Sequence, residues 1–133
     1  MYCFDTDVVS ALLKAHPPVH VVRRFARTPA EEQFTTAITL GELLYGAERR
    51  GSAELVERVL AILPRAQTIL PFDGSAAKVY GTLRAGLERE GRRLAEPDLR
   101  IASIALSRGL TLVTGNVRHF ARVPGLAVEN WLA

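Results

Sequence analysis

Five short apolar or β-branched runs, at residues 1–4, 34–39, 68–72, 110–114 and 127–129, are separated by stretches whose apolar residues recur at helical spacing. Strands joined through a dozen or more residues cannot pair as tight hairpins. They lie parallel, and the helices between them cover the sheet. The alternation therefore predicts an α/β fold of three layers, α/β/α, around a mainly parallel central sheet of four to five strands. No repeat, low-complexity segment or linker interrupts it, so residues 1–133 are expected to form a single domain.

Punctuation along the chain sets the expected boundaries. A helix is expected over 7–16, where Val8 and Leu12, and Val9 and Leu13, are four residues apart, and Pro17-Pro18 breaks it. Helical periodicity resumes over 19–27 and ends at Thr28-Pro29. Apolar residues at 40, 43, 44 and 47 predict a helix over 40–50, stopped by Gly51, and a further helix over 52–63 closed by Pro64. Asp73 reads as the N-cap of a long helix reaching about residue 90, with Glu88 and Arg92 spaced to pair near its end. A helix over 96–108 stops at Gly109, and 117–121 reads as a helical turn.

Composition removes several classes. No apolar run approaches the roughly 18 residues of a membrane span. Asp5 and Asp7 interrupt the start where a secretory signal would need an unbroken apolar core, so the cytoplasm is the expected compartment. The one cysteine, Cys3, has no disulfide partner and reads as a small buried hydrophobe. The net charge is +3, and of 17 cationic residues only Lys14 and Lys78 are lysines. Arginine offers a planar fork suited to phosphates, although solvated helix faces account for single arginines as well.

Acidic and amide side chains stand where runs end or helices begin. Asp5 follows the first strand at its carboxyl end, where open α/β sheets place ligands, while capping of the next helix is a role open to Asp5, Thr6 or Asp7. Glu42 lies in the first turn of its helix, where a carboxylate gains roughly 0.3–1 kcal/mol from the helix dipole. Gly46, one turn on, costs about 1 kcal/mol in a helix interior relative to Ala, which implies close approach of another group to that face. Asp98 follows Pro97 and shares a face with Ala102 and Ala105, whereas Arg100, Ser103 and Ser107 lie on another; Asp98 is therefore expected on the buried side. Asn116 follows the strand at 110–114, as a turn residue or as a ligand to a metal or its water, and Thr114 is placed to hydrogen-bond a neighbouring carboxylate. Carboxylates brought together by a fold need a proton or a cation, and a divalent metal is the natural one.

Four segments carry a family resemblance: Phe4-Asp5-Thr6-Asp7-Val8-Val9-Ser10, Ile38-Thr39-Leu40-Gly41-Glu42-Leu43-Leu44-Tyr45-Gly46, Asp98-Leu99-Arg100-Ile101-Ala102-Ser103-Ile104-Ala105, and Leu112-Val113-Thr114-Gly115-Asn116-Val117-Arg118-His119-Phe120. In this order they resemble the motifs of PIN domains, specifically VapC-type toxins of toxin–antitoxin systems. The resemblance implies a PIN-like fold in which Asp5, Glu42 and Asp98 match the acidic metal-site residues and Asn116 the fourth position, often Asp in relatives. Thr6, Asp7 and Thr114 are supporting residues, and Arg118, His119 and Arg122 are candidates for contact with RNA.

The activity so implied is Mg²⁺-dependent endoribonuclease, with Mn²⁺ as substitute, in which a metal-activated water leaves a 5′-phosphate and a 3′-hydroxyl. Asn116 removes one anion, which favours one metal over two. A cognate antitoxin and a homodimer, or a larger complex with the antitoxin, are implied partners, and the stripe Leu55, Val56, Val59, Leu60, Leu63 serves equally as interface or core. Two other readings stand beside this one. One is a PIN-fold binding module with weak or no nuclease activity. The other is an Asp-nucleophile phosphatase, suggested by Asp5-Thr6-Asp7, which would need a late lysine such as Lys78 and a further acidic pair that the chain lacks.

Overall fold

A computed structural model describes residues 1–133. Five parallel strands, β1 (Tyr2–Phe4), β2 (Gln33–Thr36), β3 (Thr68–Leu70), β4 (Thr111–Val113) and β5 (Val128–Glu129), form one sheet in the order β3-β2-β1-β4-β5. Tyr2 pairs with Gln33 on one side and with Thr111 on the other, which makes β1 the central strand. Between the strands run α1 (Thr6–Leu12), α2 (Val19–Arg27), α3 (Ala37–Arg49), α4 (Ala53–Ala66), α5 (Gly74–Arg89), α6 (Glu96–Ser107) and the short α7 (Val117–Phe120).

Alternation of side chains along each strand divides the core into two layers. Cys3, Leu70 and Leu112 face a cluster with Leu83, Leu87, Ile101 and Ile104 from α5 and α6. Their neighbours Phe4, Ile69 and Val113 face the opposite cluster, with Val8, Val9, Val59, Leu63 and Trp131. The expected three-layer α/β/α architecture with a parallel sheet is thus the observed one.

Local boundaries differ in instructive ways. α1 ends at Leu12 rather than at His16, its last turn closed by Leu13 N–H on Val9 and Ser10 carbonyls. The second strand is shorter than 34–39 because Thr36 turns its hydroxyl onto the Thr39 N–H at 3.0 Å and starts α3 three residues early. Pro64 does not close α4, which runs to Ala66. A proline in the last turn removes only its own bond to the carbonyl four residues back, and Leu60 there is exposed to water. Glu88 pairs with Arg84 at 3.2 Å, not with Arg92, which lies 3.9 Å from Glu90. Asp73 caps α5 through the Ala76 N–H, and Gly109 stops α6 with φ of 65°, as expected.

The strand order places the site. From β1 the chain steps outward to β2 and β3, then crosses back to β4 on the other side of β1. The order in which strands are added therefore reverses between β1 and β4, and the crevice at their carboxyl ends is where such sheets bind ligands.

Candidate acidic active site

Asp5 sits at that crevice, directly after β1 and only 6% exposed. The capping role falls to Asp5: Oδ1 accepts from the Thr6 N–H at 2.8 Å as the cap of α1, and Oδ2 accepts from the Thr114 hydroxyl at 2.8 Å across from β4. The bond expected of Thr114 is therefore made, and to Asp5. Each carboxylate oxygen has two lone pairs, so both keep one for another ligand. Burial, against the pull of those two donors and with the charges of Asp7 and Asp98 adding to it, raises the Asp5 carboxyl to about 6.

Glu42 comes in from α3, its Oε1 accepting from the Thr6 hydroxyl at 2.6 Å. Thr6 and Thr36 both meet Thr39, at 3.5 and 3.1 Å, so a chain of hydroxyls ties the start of α3 to the start of α1. Asp98 is half-buried in the first turn of α6, on the side of Ala102 and Ala105 as expected. Its carboxyl is also raised, by burial and then by Glu42 and Asp7, while His119 pulls it down. Ser103 departs from the expectation of an outward face: it is fully buried and donates its hydroxyl to the Leu99 carbonyl at 2.7 Å, which removes the need for water.

Asp7 is exposed and accepts from the Gly115 N–H at 2.9 Å. A Cβ at Gly115 would lie 2.8 Å from Asp7 Oδ2 and 2.8 Å from Leu132 Cδ1, so a side chain there would require both of those side-chain tips to move. Asn116 has φ of −102° and is not left-handed; its N–H donates to Thr114 while its side chain makes no cap. Gly46 has nothing within 4 Å of where a Cβ would stand, which corrects the expectation of a close neighbour on that face of α3.

The RNA-contact candidates separate. His119 lies close enough for its charge to act on Asp98, Arg118 is exposed on α7, and Arg122 is committed to the Arg93 carbonyl at 3.1 Å. Cys3 is fully buried, and burial followed by the Asp5 charge pushes its thiol up to about 12, so it is a core residue and not a nucleophile. Lys78 lines a separate concavity of about 550 Å³ between α5 and the two residues Leu106 and Pro124, and Asp5 does not line it. The links Thr6–Glu42 and Gly115–Asp7 went unforeseen because they join residues 36 and 108 apart, and no local pattern encodes such pairings.

None of Asp5, Asp7, Glu42 or Asp98 has an Arg, Lys or His ion-pair partner. Four carboxylates that repel one another and present only oxygen fit a hard divalent cation. No three of them are gathered at ligating distance. An ion held here would keep several waters and take one or two of these carboxylates directly, as Mg²⁺ does.

A parallel α/β/α sheet with an acidic centre at its switch point defines the class, and the model of the family described as PIN domain matches residues 2–126. A protein named Ribonuclease VapC2 from Haemophilus influenzae is 36% identical, with 98% of each chain covered. A protein named tRNA(fMet)-specific endonuclease VapC from Shigella flexneri is 37% identical over 98% of this chain and 97% of its own. A crystal structure of VapBC2 from Rickettsia felis, bound to a DNA fragment from their promoter, superposes with a TM-score of 0.88 at 31% identity, 98% of each chain being covered. The chain belongs to the PIN-domain family and within it to the VapC ribonucleases. It is an endoribonuclease of toxin–antitoxin type, which sets the phosphatase reading aside. No helix is long and apolar enough to cross a membrane.

Proposed function

We propose that Asp5, Glu42 and Asp98, with Asn116 beside them, hold one Mg²⁺, or Mn²⁺ in its place, and hydrolyse RNA phosphodiesters as the toxin of a type II toxin–antitoxin pair. The observation that carries the site assignment is Asp5: a buried carboxylate at the switch point, held by two donors and with no cation to neutralise it. When bound, the ion supplies positive charge to the phosphate oxygens and acidifies water. The chain's residues do the positioning. Thr114 and Thr6 fix both oxygens of Asp5, and the Thr6 hydroxyl fixes Glu42, so one threonine aligns two acids. Asp98 completes the charge from α6, Asp7 supports the β4 turn through Gly115, and Arg118, exposed on α7, offers a cation and His119 a ring nitrogen to the RNA backbone. Water oxygen bonds to phosphorus as the bond to the 3′ oxygen breaks; that oxygen takes a proton, leaving a 5′-phosphate and a 3′-hydroxyl.

The VapBC2 assembly supports a cognate antitoxin as partner here. We further propose that residues 1–133 act as one PIN domain, that the toxin pairs as a homodimer, and that it works in the cytoplasm, where its RNA is. Asp5→Asn or Asp98→Asn should lower RNA cleavage at least about 100-fold, with circular dichroism unchanged, and EDTA should stop the parent enzyme until Mg²⁺ or Mn²⁺ is returned. Full activity in both variants, with metal still required, would sink the assignment.

A further inference from the structure

The turn between α5 and α6 carries two arginines, Arg92 and Arg93, that the acidic centre does not use, and both are exposed. The turn itself is tied at both ends. Gly91, with φ of 68°, lets the Arg92 N–H reach back to the Leu87 carbonyl at 2.9 Å, and Arg122, just past α7, donates to the Arg93 carbonyl at 3.1 Å. Half-buried Leu94 packs against the core between these ties. The two guanidinium groups therefore stand on a fixed backbone.

Beside this turn, α5 and α6 enclose a concavity of about 240 Å³, walled by Arg92, Arg93 and Leu94 together with Arg84, Glu88 and Glu96. Its two acids are already matched. Arg84 lies 3.2 Å from Glu88 and 3.3 Å from Glu96, and Arg100 reaches Glu96 at 3.2 Å. Arg93 has no ion-pair partner, and Arg92 approaches only Glu90, at 3.9 Å. Glu96 and Leu99 both line the concavity while Asp98 stands between them, so it shares the first turn of α6 with the acidic centre. Solvation alone accounts for an exposed arginine on a turn. It does not account for two of them held over a concavity whose acids are paired, beside a cluster of carboxylates.

Resting on the nuclease reading above, we propose that this concavity is a subsite for one nucleotide of the substrate RNA next to the scissile bond, with its phosphate on Arg92 and Arg93 and its nucleoside against Leu94. The planar fork of arginine matches phosphate oxygens. The space is smaller than the roughly 300–1,000 Å³ of drug-sized pockets, so it takes a single nucleotide unit and no helix. An acidic protein side chain is the competing anion, but continuity with Asp98 along α6 favours the strand that must pass through the centre. Phosphate contacts fix register without reading sequence, so the subsite holds the strand against the acids whatever its bases.

The test measures anisotropy of a fluorescein-labelled single-stranded oligoribonucleotide of about ten nucleotides, in Mg²⁺, on the Asp98→Asn background so that the probe survives. Cleavage of the probe by that variant would overturn the assignment of the acids, not the subsite. Adding Arg92→Gln and Arg93→Gln should weaken binding at least about tenfold at low salt and flatten the dependence of log affinity on log salt by about 0.7 per lost charge. Lys78→Gln, on α5 in the separate concavity, should change neither. Leu94→Gln, which keeps the bulk and loses the apolar contact, should weaken binding of the RNA with the salt slope intact and leave binding of an abasic oligomer of the same length unchanged. With Asp98 intact, the Arg92 and Arg93 double variant should raise KM for RNA cleavage more than it lowers kcat. An unchanged affinity and slope in the double variant overturns the inference, as does an equal loss in Lys78→Gln, which would make the effect one of overall charge. Equal weakening of both oligomers by Leu94→Gln removes the seat for the nucleoside.

Discussion

Asp5 is costly to the fold that holds it. Its carboxyl is raised to about 6 by burial, so the folded chain binds that proton more tightly than the unfolded chain does. The stabilisation tied to this proton is complete below about pH 4 and is lost as pH rises through about 6, by up to about 3 kcal/mol. Asp98 is shifted in the same direction. In EDTA, Asp5→Asn should therefore gain melting temperature over the parent as pH is raised from 4 to 7, and Mg²⁺ should raise the parent's melting temperature far more at pH 7.5 than at pH 4.5. A gap between the two proteins that stays constant with pH would refute this account. Gly115 constrains the same site by absence of a side chain. Gly115→Ala sets a methyl 2.8 Å from both Asp7 Oδ2 and Leu132 Cδ1, the tips of two side chains that can turn aside, so it should cost no more than about 1 kcal/mol in urea unfolding while disturbing the Asp7–Gly115 bond. Asp5, Asp98 and Asn116 stood out as candidates because each stands where a strand or helix changes, whereas Glu42, expected in a first turn, lies in the second turn of α3 because that helix starts early. What each side chain touches was not legible, since those partners lie on other elements.

α3 shows how far periodicity reaches at the scale of the element. Its apolar stripe was visible at 40, 43, 44 and 47, yet its start was not, because β-branched Ile38 and Thr39 read as strand until the Thr36 hydroxyl caps the helix. Pro64 misled in the other direction: a proline ends a helix interior but is tolerated in the last turn, where it removes a single bond and Leu60, the residue that loses it, is exposed. Gly46 is a further case. Its mid-helix cost pointed to close packing, while the structure leaves that face of α3 open. Gly46→Ala should therefore stabilise the protein by up to about 1 kcal/mol, read as a higher urea midpoint with no change in the slope of the transition. A lower midpoint would mean that the face is not open.

Across the whole molecule, the chain end closes over the strand from which the site projects. Trp131 is 2% exposed, and its ring centroid lies 5.0 Å from Phe4, 5.1 Å from Tyr2 and 5.2 Å from Phe25, which joins the last residues to β1 and α2. Arg24 covers the ring at 4.5 Å and bonds Glu129 of β5 at 2.8 Å, holding the far edge of the sheet to the same helix. Leu132 then reaches Gly115 beside Asp7. Sequence patterning was silent about this arrangement, since a lone Trp near a chain end has no periodicity to betray its partners. Phe4 directly precedes Asp5, so loosening the aromatic cluster should be felt at the acidic centre. Trp131→Ala should cost about 3–5 kcal/mol, a large part of the 5–15 kcal/mol typical of a domain. It should also reduce cleavage at temperatures where the variant is still fully folded by circular dichroism. Trp131→Phe, which keeps a ring in the cluster, should recover most of both. If Trp131→Ala loses stability but cleaves normally while folded, the C-terminal residues brace the sheet without setting the position of Asp5.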